Sequence, residues 1–158
     1  MRSLRLLAPS LAAAWLSTAA MAQEPFDACT VFTPEDAEKV LGAAAVGEAT
    51  NPKLKRPRVV MNCSYSANRE GKALSAKAEF RFARSPDESQ RVFDEARLVH
   101  QTKPMLLSGA EAFWAGKSGV MHVRKGRTWV TLTVGGAKPS ERELADARKL
   151  AEILVAKL

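Results

Sequence analysis

The sequence predicts an α+β protein in which helices pack on a mainly antiparallel sheet of about five to seven strands. Three observations lead to this prediction. Several segments alternate apolar and polar residues, which is typical of half-buried strands. Other stretches carry the capping signals and apolar spacing of helices. Short turns that contain Gly join neighbouring strands and therefore favour hairpins.

The composition is that of an ordinary globular protein and excludes several other classes. The 158 residues include 46% hydrophobic and 26% charged residues, with a net charge of +7. This composition excludes a disordered tail, a fibrous rod and a disulfide-dense mini-protein. The charge is too small for a nucleic-acid-binding stripe, so we expect no nucleic-acid partner. Two Cys and two His count against a metal site, and we expect no cofactor.

Residues 1–22 have the features of a cleaved signal peptide. Two arginines precede an apolar stretch, and an Ala-Met-Ala sequence stands immediately before Gln23. The apolar stretch is shorter than the roughly 20 residues that a membrane span needs. We therefore expect residues 23–158 to form a single domain, periplasmic or secreted, without a transmembrane segment. A retained N-terminal anchor helix is the alternative.

The two cysteines, Cys29 and Cys63, predict one disulfide. An even pair in an oxidising compartment usually forms a structural bridge. The chain-entropy model gives such a bridge roughly 3–4 kcal/mol of stabilisation. A redox-active pair is the alternative, but it needs thiols close in sequence or a neighbour that activates one of them.

In the first half of the chain we expect a helix and two strands. Thr33 is the predicted N-cap, with Pro34 at the first helical position and Gly42 ending the helix. Residues 43–57 suggest a weak strand and then a loop. From Val59 the apolar residues alternate, which places Cys63 on the buried face of a strand. After a turn at 68–71, residues 74–82 form the clearest amphipathic strand.

In the second half we expect two helices and several short strands. Ser85 begins a capping box, and its helix runs to about His100. Strands follow at 112–114, 120–123 and 128–134. Ser140 begins a second capping box, and the last helix runs to Leu158. The residues that we expect these two helices to bury are Val92, Phe93, Ala96 and Val99, and then Leu144, Ala147, Ala151, Leu154 and Leu158.

The loop between the two prolines Pro52 and Pro57 carries the densest group of cations. A solvated loop is the ordinary interpretation of such a group, and contact with an anionic or membrane surface is the alternative. The candidate anion contacts are Lys53, Lys55, Arg56 and Arg58.

The hairpin after residue 120 contains the best candidate for a binding surface. With Lys125-Gly126 as a two-residue turn, Arg124 opposes Arg127 and His122 opposes Trp129. All four side chains then face away from the core. An indole beside an imidazole and two guanidinium groups suits an anionic or sugar-like ligand. The alternative is that a helix or loop covers Trp129 while the arginines flank an exposed turn.

No residue stands out as catalytic. His122 has the side chain that titrates near neutrality, whereas His100 fits a cap at the C-terminal end of its helix. The segment 116–119 lacks the spacing of a hydrolase nucleophile elbow. The segment 135–140 has the wrong glycine spacing for a phosphate loop.

The segment 27–42 and the Cys63-Ser64-Tyr65 sequence resemble small bacterial exported or lipoprotein domains of unknown function. Those domains have a Cys, a capped helix ending in Leu-Gly, and a Cys-x-Tyr strand. The segment 109–114 is similar to their Gly-(Asp/Glu)-x-Ala stretch. Several of them are similar to the PsbP/Mog1-like α/β sandwich, a resemblance that implies a binding or accessory module and supplies no catalytic residue.

We therefore expect an exported, non-enzymatic binding or accessory protein of the bacterial envelope, whose partner is an unknown protein or small ligand. One alternative is a periplasmic enzyme that uses His122 or His100. The other is a structural envelope component that contacts anionic surfaces through its basic loop.

Overall fold

The computed structural model describes residues 26–46 and 60–158, which contain one antiparallel sheet with helices packed on it. The predicted signal peptide and the basic residues Lys53, Lys55, Arg56 and Arg58 lie outside these described residues. The elements in chain order are α1 (Ala28–Val31), α2 (Pro34–Leu41), β1 (Val60–Arg69), β2 (Lys72–Phe82), α3 (Pro86–Val99), β3 (Met105–Leu107), β4 (Ala110–Ala115), β5 (Val120–Lys125), β6 (Thr128–Gly135), a 3-10 turn (Pro139–Glu141) and α4 (Leu144–Val155).

The prediction of an α+β fold is confirmed. The described part of the sheet has six strands in the order β1-β2-β6-β5-β4-β3, and each neighbouring pair is antiparallel. Tight turns join the β1–β2 and β5–β6 hairpins. Among the described strands, only β2 and β6 are paired while far apart in the chain, and their pairing unites the N-terminal hairpin with the C-terminal strands.

One face of the sheet forms the main core beneath α1, α2 and α4. The alternation predicted for β1 and β2 is confirmed, because Cys63, Tyr65, Ala76, Ala78 and Phe80 are all buried on this face. The strands β5 and β6 contribute further apolar residues, and α2 and α4 cover them with Leu41, Leu150 and Leu154.

The helix starts are confirmed for α2 and α3 but not for α4. The Ser85 hydroxyl accepts a hydrogen bond from the backbone N–H of Glu88 at 3.1 Å, which is one half of the predicted capping box, while the Glu88 carboxylate accepts from the backbone N–H of Arg84 instead of Ser85. The predicted box at Ser140 is wrong, because α4 begins only at Leu144. Arg142 interrupts the helical path with extended backbone, and its guanidinium donates to the carbonyls of Gly136, Ala137 and Ser118.

The expectation that Val99 is buried is also wrong, since 79% of this residue is exposed. At 3.6 residues per turn, Val99 lies about 120° around the helix from Phe93. Ser89 and Phe93, which are one turn apart, are the buried residues of α3. His100 follows Phe93 by two turns and therefore comes to the same side.

Two long-range contacts fasten the N-terminal segment to the sheet and to the end of the chain. The predicted disulfide joins Cys29 to Cys63, with their Cα atoms 5.3 Å apart. The buried Asp36 carboxylate accepts hydrogen bonds from the backbone of Thr33 and from the ammonium of Lys157. Within residues 26–46 and 60–158, no helix combines the length and the apolar character needed to cross a membrane.

Candidate functional site

The second face of the sheet carries the residues of interest, and α3 covers part of it. Phe93 of α3 packs on Phe113 and Ala115 of β4, with Trp129 of β6 at the edge of this second cluster. The ring centroids of Phe93 and Phe113 are 5.0 Å apart. We call the surface formed by Phe93, Phe113, His122 and Trp129 the α3 face.

The hairpin register differs from the predicted one. Lys125 pairs with Thr128, so the two-residue turn is Gly126-Arg127 and not Lys125-Gly126. Arg124 therefore opposes Trp129, and His122 opposes Thr131. Because the shift is two residues, it changes the cross-strand partners but keeps His122, Arg124 and Trp129 on the face away from the main core. Arg127 lies in the turn and leaves that face.

His122 is buried in the α3 face, with 8% of its surface exposed. Its ring stacks on Phe113 with centroids 4.3 Å apart, and its Nδ1 atom is buried without a hydrogen-bond partner. Burial, with further contributions from His100 and Arg81, lowers the pKa of His122 to about 4. The expectation that this imidazole titrates near neutrality is therefore wrong: it is neutral at pH 7.

The other histidine approaches from the helix. His100 is the C-cap of α3, as the sequence predicted, and its ring centroid lies 5.4 Å from that of His122. The ring centroid of His100 also lies 6.0 Å from that of Phe113. Neither imidazole has a hydrogen bond or ion pair with a carboxylate among the described residues. The two histidines cluster with aromatic rings and with each other.

The two arginines predicted for the binding face are engaged elsewhere. Arg124 donates to the Glu111 carboxylate through Nε and Nη2, at 3.1 and 2.7 Å. It lines a shallow groove of about 390 Å³ beside the exposed Leu106. Arg127 donates from its Nε to the carbonyl of Ala83 at 3.1 Å. Of the four predicted residues, only His122 and Trp129 meet in the α3 face.

Trp129 has a different cation beside it, one that the sequence pattern did not single out. The Arg81 guanidinium carbon lies 5.3 Å from the centroid of the indole, which is within cation–π range. Arg81 is directly opposite Trp129 in the β2–β6 pairing, and its side chain is 45% exposed. It also forms an ion pair with Glu79 at 2.6 Å. The alternation in β2 predicts that Arg81 lies on the polar face. It does not predict that Trp129 is the neighbour of Arg81, because that depends on the pairing of β2 with β6.

A cavity of about 160 Å³ opens between α3 and the β2–β6 strands. We call it the α3 cavity; its lining is Arg81, Phe82, Ala83, Glu88, Ser89, Val92 and Trp129. Ser89 is 2% exposed, and its hydroxyl has no hydrogen-bond partner. The indole Nε1 of Trp129 is buried without a partner as well. Two unsatisfied polar atoms therefore belong to residues that line one small, mostly apolar cavity.

The remaining sequence candidates form ordinary turns. Residues 116–119 connect β4 to β5, and residues 136–143 connect β6 to α4. In the described residues, no group of three or more metal-ligating side chains comes together. We consider the α3 cavity further as a candidate site, because mostly apolar walls with a few polar groups suit the binding of a small molecule. Comparison of the chain with models of known protein families finds no match, and comparison with curated proteins finds none either.

Proposed function

We propose that this chain is an exported binding or accessory domain of the bacterial envelope that holds a small ligand in the α3 cavity and does not catalyse a reaction. The Cys29–Cys63 disulfide supports export, because stable disulfides are uncommon in the reducing cytosol. The features of residues 1–22 favour the same compartment. The resemblance of the segment 27–42 to exported domains points in this direction too.

The observation that carries the proposal is the mostly apolar cavity between α3 and the β2–β6 strands. A buried hydroxyl or indole N–H without a partner costs about 1–3 kcal/mol. Ser89 and Trp129, which both line the cavity, each carry one such buried atom. A small ligand in the cavity excludes water from Phe82 and Val92. Apolar walls with a few such groups are typical of small-molecule sites.

The test follows the indole signal of Trp129 in the disulfide-bonded, 15N-labelled protein. The sequence has three Trp, so the Trp129→Phe variant assigns this signal. We expect a small-molecule extract of the envelope to shift the Trp129 signal. Ser89→Leu, which fills the cavity, abolishes the shift, while Arg148→Ala, on the exposed side of α4 and outside the cavity, retains it. An unshifted signal, or a shift that persists in Ser89→Leu with the fold intact, contradicts the proposal.

The nearness of His100 and His122 favours one alternative, an enzyme that uses these imidazoles. Their centroid separation of 5.4 Å brings two candidate proton-transfer groups together. The pKa of about 4 makes His122 a weak base at neutral pH, which counts against this role. A hydrolase activity that His122→Ala abolishes while the fold is retained would establish the enzyme and overturn the binding proposal.

A further inference from the structure

The helix α3 is held on the sheet separately from the main core. Of its residues Pro86–Val99, only Ser89 and Phe93 are buried. Phe93 packs with Phe113 and Ala115 in the small cluster of the α3 face, whereas α1, α2 and α4 cover the opposite face of the sheet. A movement of α3 away from the sheet would therefore open the α3 face and leave the main core covered.

The C-terminal end of α3 is weakly attached. Leu98 and Val99 are 67% and 79% exposed, so their apolar side chains contribute little packing. Just after the helix, Gln101 has a φ of +52°, a left-handed conformation that is unfavourable for a residue with a Cβ. The Thr102 hydroxyl is buried without a hydrogen-bond partner. Both features raise the free energy of the docked helix end, which makes its release easier.

This end of α3 lies against His122. The ring of His100, the C-cap residue of α3, has its centroid 5.4 Å from that of His122. Phe113 stacks on His122 from β4, and the ring of Trp129 on β6 lies 5.7 Å away. His122 is buried among these rings, and its Nδ1 atom has no hydrogen-bond partner. Release of α3 would remove one side of this enclosure and admit water to the imidazole.

The groups around His122 do not compensate a proton on its ring. Besides burial, which is the main cause, His100 from α3 and Arg81 from β2 lower the pKa of His122. β6 places the neutral Thr131 opposite His122. The carboxylates on the surrounding elements are already paired with arginines: Glu79 with Arg81 on β2, Glu111 of β4 with Arg124 of β5, and Asp94 with Arg97 on α3. A proton on His122 is therefore less favourable in the docked state than in water.

We propose that α3 is an acid-sensitive element of this fold: protonation of His122 favours release of the C-terminal end of α3 from β4 and β5 while the main core stays folded. At neutral pH the imidazole is uncharged and α3 covers it. In acid the released state takes up the proton in water, and the rings of Phe93 and Phe113 become accessible. This response does not require a ligand in the α3 cavity.

The size of the response follows from the two states of His122. Its pKa is about 4 when α3 is docked, whereas an imidazole in water has the ordinary value of about 6.5. Because the released state binds the proton more tightly, its share grows as the pH falls. Between pH 7 and pH 5 the equilibrium constant for release is expected to rise about twentyfold.

The experiment measures amide hydrogen exchange at single residues of the disulfide-bonded, 15N-labelled protein at pH 7 and pH 5. Correction for the intrinsic pH dependence of exchange converts the rates into equilibrium constants for opening. For the amides of residues 96–100 we expect this constant to rise about twentyfold on acidification. At pH 5 it should exceed the constant for residues 150–154 of α4 at least about tenfold, because α4 opens only with the main core.

Two variants without a titrating ring test the role of His122. In His122→Leu and His122→Gln the rise in the α3 constant should fall from about twentyfold to less than about threefold, since neither side chain takes up a proton. The Gln variant serves where Leu disturbs the packing of the α3 face. Asp94→Asn is the matched control: its carboxylate is on α3, 41% exposed and paired with Arg97, so its loss should leave the rise unchanged.

The outcomes test local release and the role of His122 separately. Equal opening constants for α3 and α4 at pH 5 would mean that α3 opens only when the whole protein unfolds, which overturns local release. A rise that persists in both His122 variants, with the circular dichroism spectrum at pH 7 unchanged, overturns the role of His122. A wild-type constant that does not change with pH overturns both. A rise present in the wild type and in Asp94→Asn but lost in the His122 variants supports the proposal.

Discussion

His122 and Phe113 lie on the paired strands β5 and β4 with their rings nearly parallel, 10° apart in plane and 4.3 Å apart between centroids. This stacking holds the imidazole in a dry environment beneath α3. The buried Nδ1 atom of His122 has no hydrogen-bond partner. A proton on this atom would need water or another acceptor nearby, so protonation is unfavourable here. The contact therefore links the protonation of His122 to the packing of the α3 face.

The first prediction is a loss of stability in mild acid. Burial lowers the pKa of His122 to about 4, whereas an unfolded chain has the ordinary value of about 6.5. The unfolded state thus takes up a proton first as pH falls, and stability drops between about pH 6.5 and 4. We expect His122 to account for about 2–3 kcal/mol of the loss between pH 7.5 and 4.5, measured by urea unfolding.

His122→Leu is the control for this prediction. The carboxylates titrate in both proteins, so the difference between wild type and variant isolates the histidine. The variant should lose much less stability over the same pH interval. Identical pH profiles would mean that His122 accepts a proton in the folded state as easily as in the unfolded one.

The second prediction concerns the bond between Asp36 and Lys157. Burial acts to raise the pKa of the Asp36 carboxyl, but hydrogen bonds from Lys157 and Thr33 outweigh it and hold the pKa below its ordinary value. Asp36→Asn removes the charge and should destabilise the protein by about 2 kcal/mol in urea unfolding. Lys39→Ala, whose ammonium is 3.6 Å from the same carboxylate but largely exposed, should cost less than about 0.5 kcal/mol. Equal costs for the two variants would contradict the assignment.

The third prediction is that the disulfide contributes substantially to stability. Reduction, or the double substitution Cys29→Ala with Cys63→Ala, should lower the free energy of unfolding by about 3 kcal/mol, because the unfolded chain gains freedom. Urea unfolding with and without dithiothreitol measures this change. The double variant should be insensitive to the reductant. An unfolding midpoint that reduction does not move in the wild type would contradict the prediction.

The fourth prediction compares two glycines near the two ends of β6. Gly135 has φ of +122°, and a Cβ there would lie 2.5 Å from the backbone oxygen of Glu141. Gly126 has φ of +57° in an open turn, and a Cβ there would meet no atom within 4 Å. Gly135→Ala should therefore cost about 3 kcal/mol or more, and Gly126→Ala about 1 kcal/mol. Urea unfolding of both variants measures these two costs. A larger loss of stability in Gly126→Ala than in Gly135→Ala would contradict the prediction.

Much of the fold could be predicted because local patterns agree with the final packing. The alternation in β1 and β2 identified the buried face that holds Cys63 and Phe80. Thr33 and Ser85 marked the starts of α2 and α3 because their neighbours carry the matching acids. The start of α4 could not be found this way, since the many hydrogen bonds of Arg142 to backbone carbonyls outweigh the local capping signal.

The candidate site was predicted less well, for two physical reasons. Lys125-Gly126 and Gly126-Arg127 both place Gly in a tight turn, so local sequence does not decide between the two registers. The partners of Trp129 come from β2 and α3, and they depend on strand pairing and on which side of α3 faces the sheet. Arg81 and Ser89 reach the α3 cavity through these long-range arrangements.

The pairing of β2 with β6 has a consequence for how the molecule is made. A nascent chain that has been synthesised only as far as the β5–β6 turn has no neighbour for one edge of the N-terminal hairpin, because Lys77 must wait for Thr133 and Ala78 for Leu132. The sheet therefore cannot be completed until almost the whole polypeptide has been synthesised. The contacts between β2 and β6, which are far apart in the chain, are expected to form late in folding.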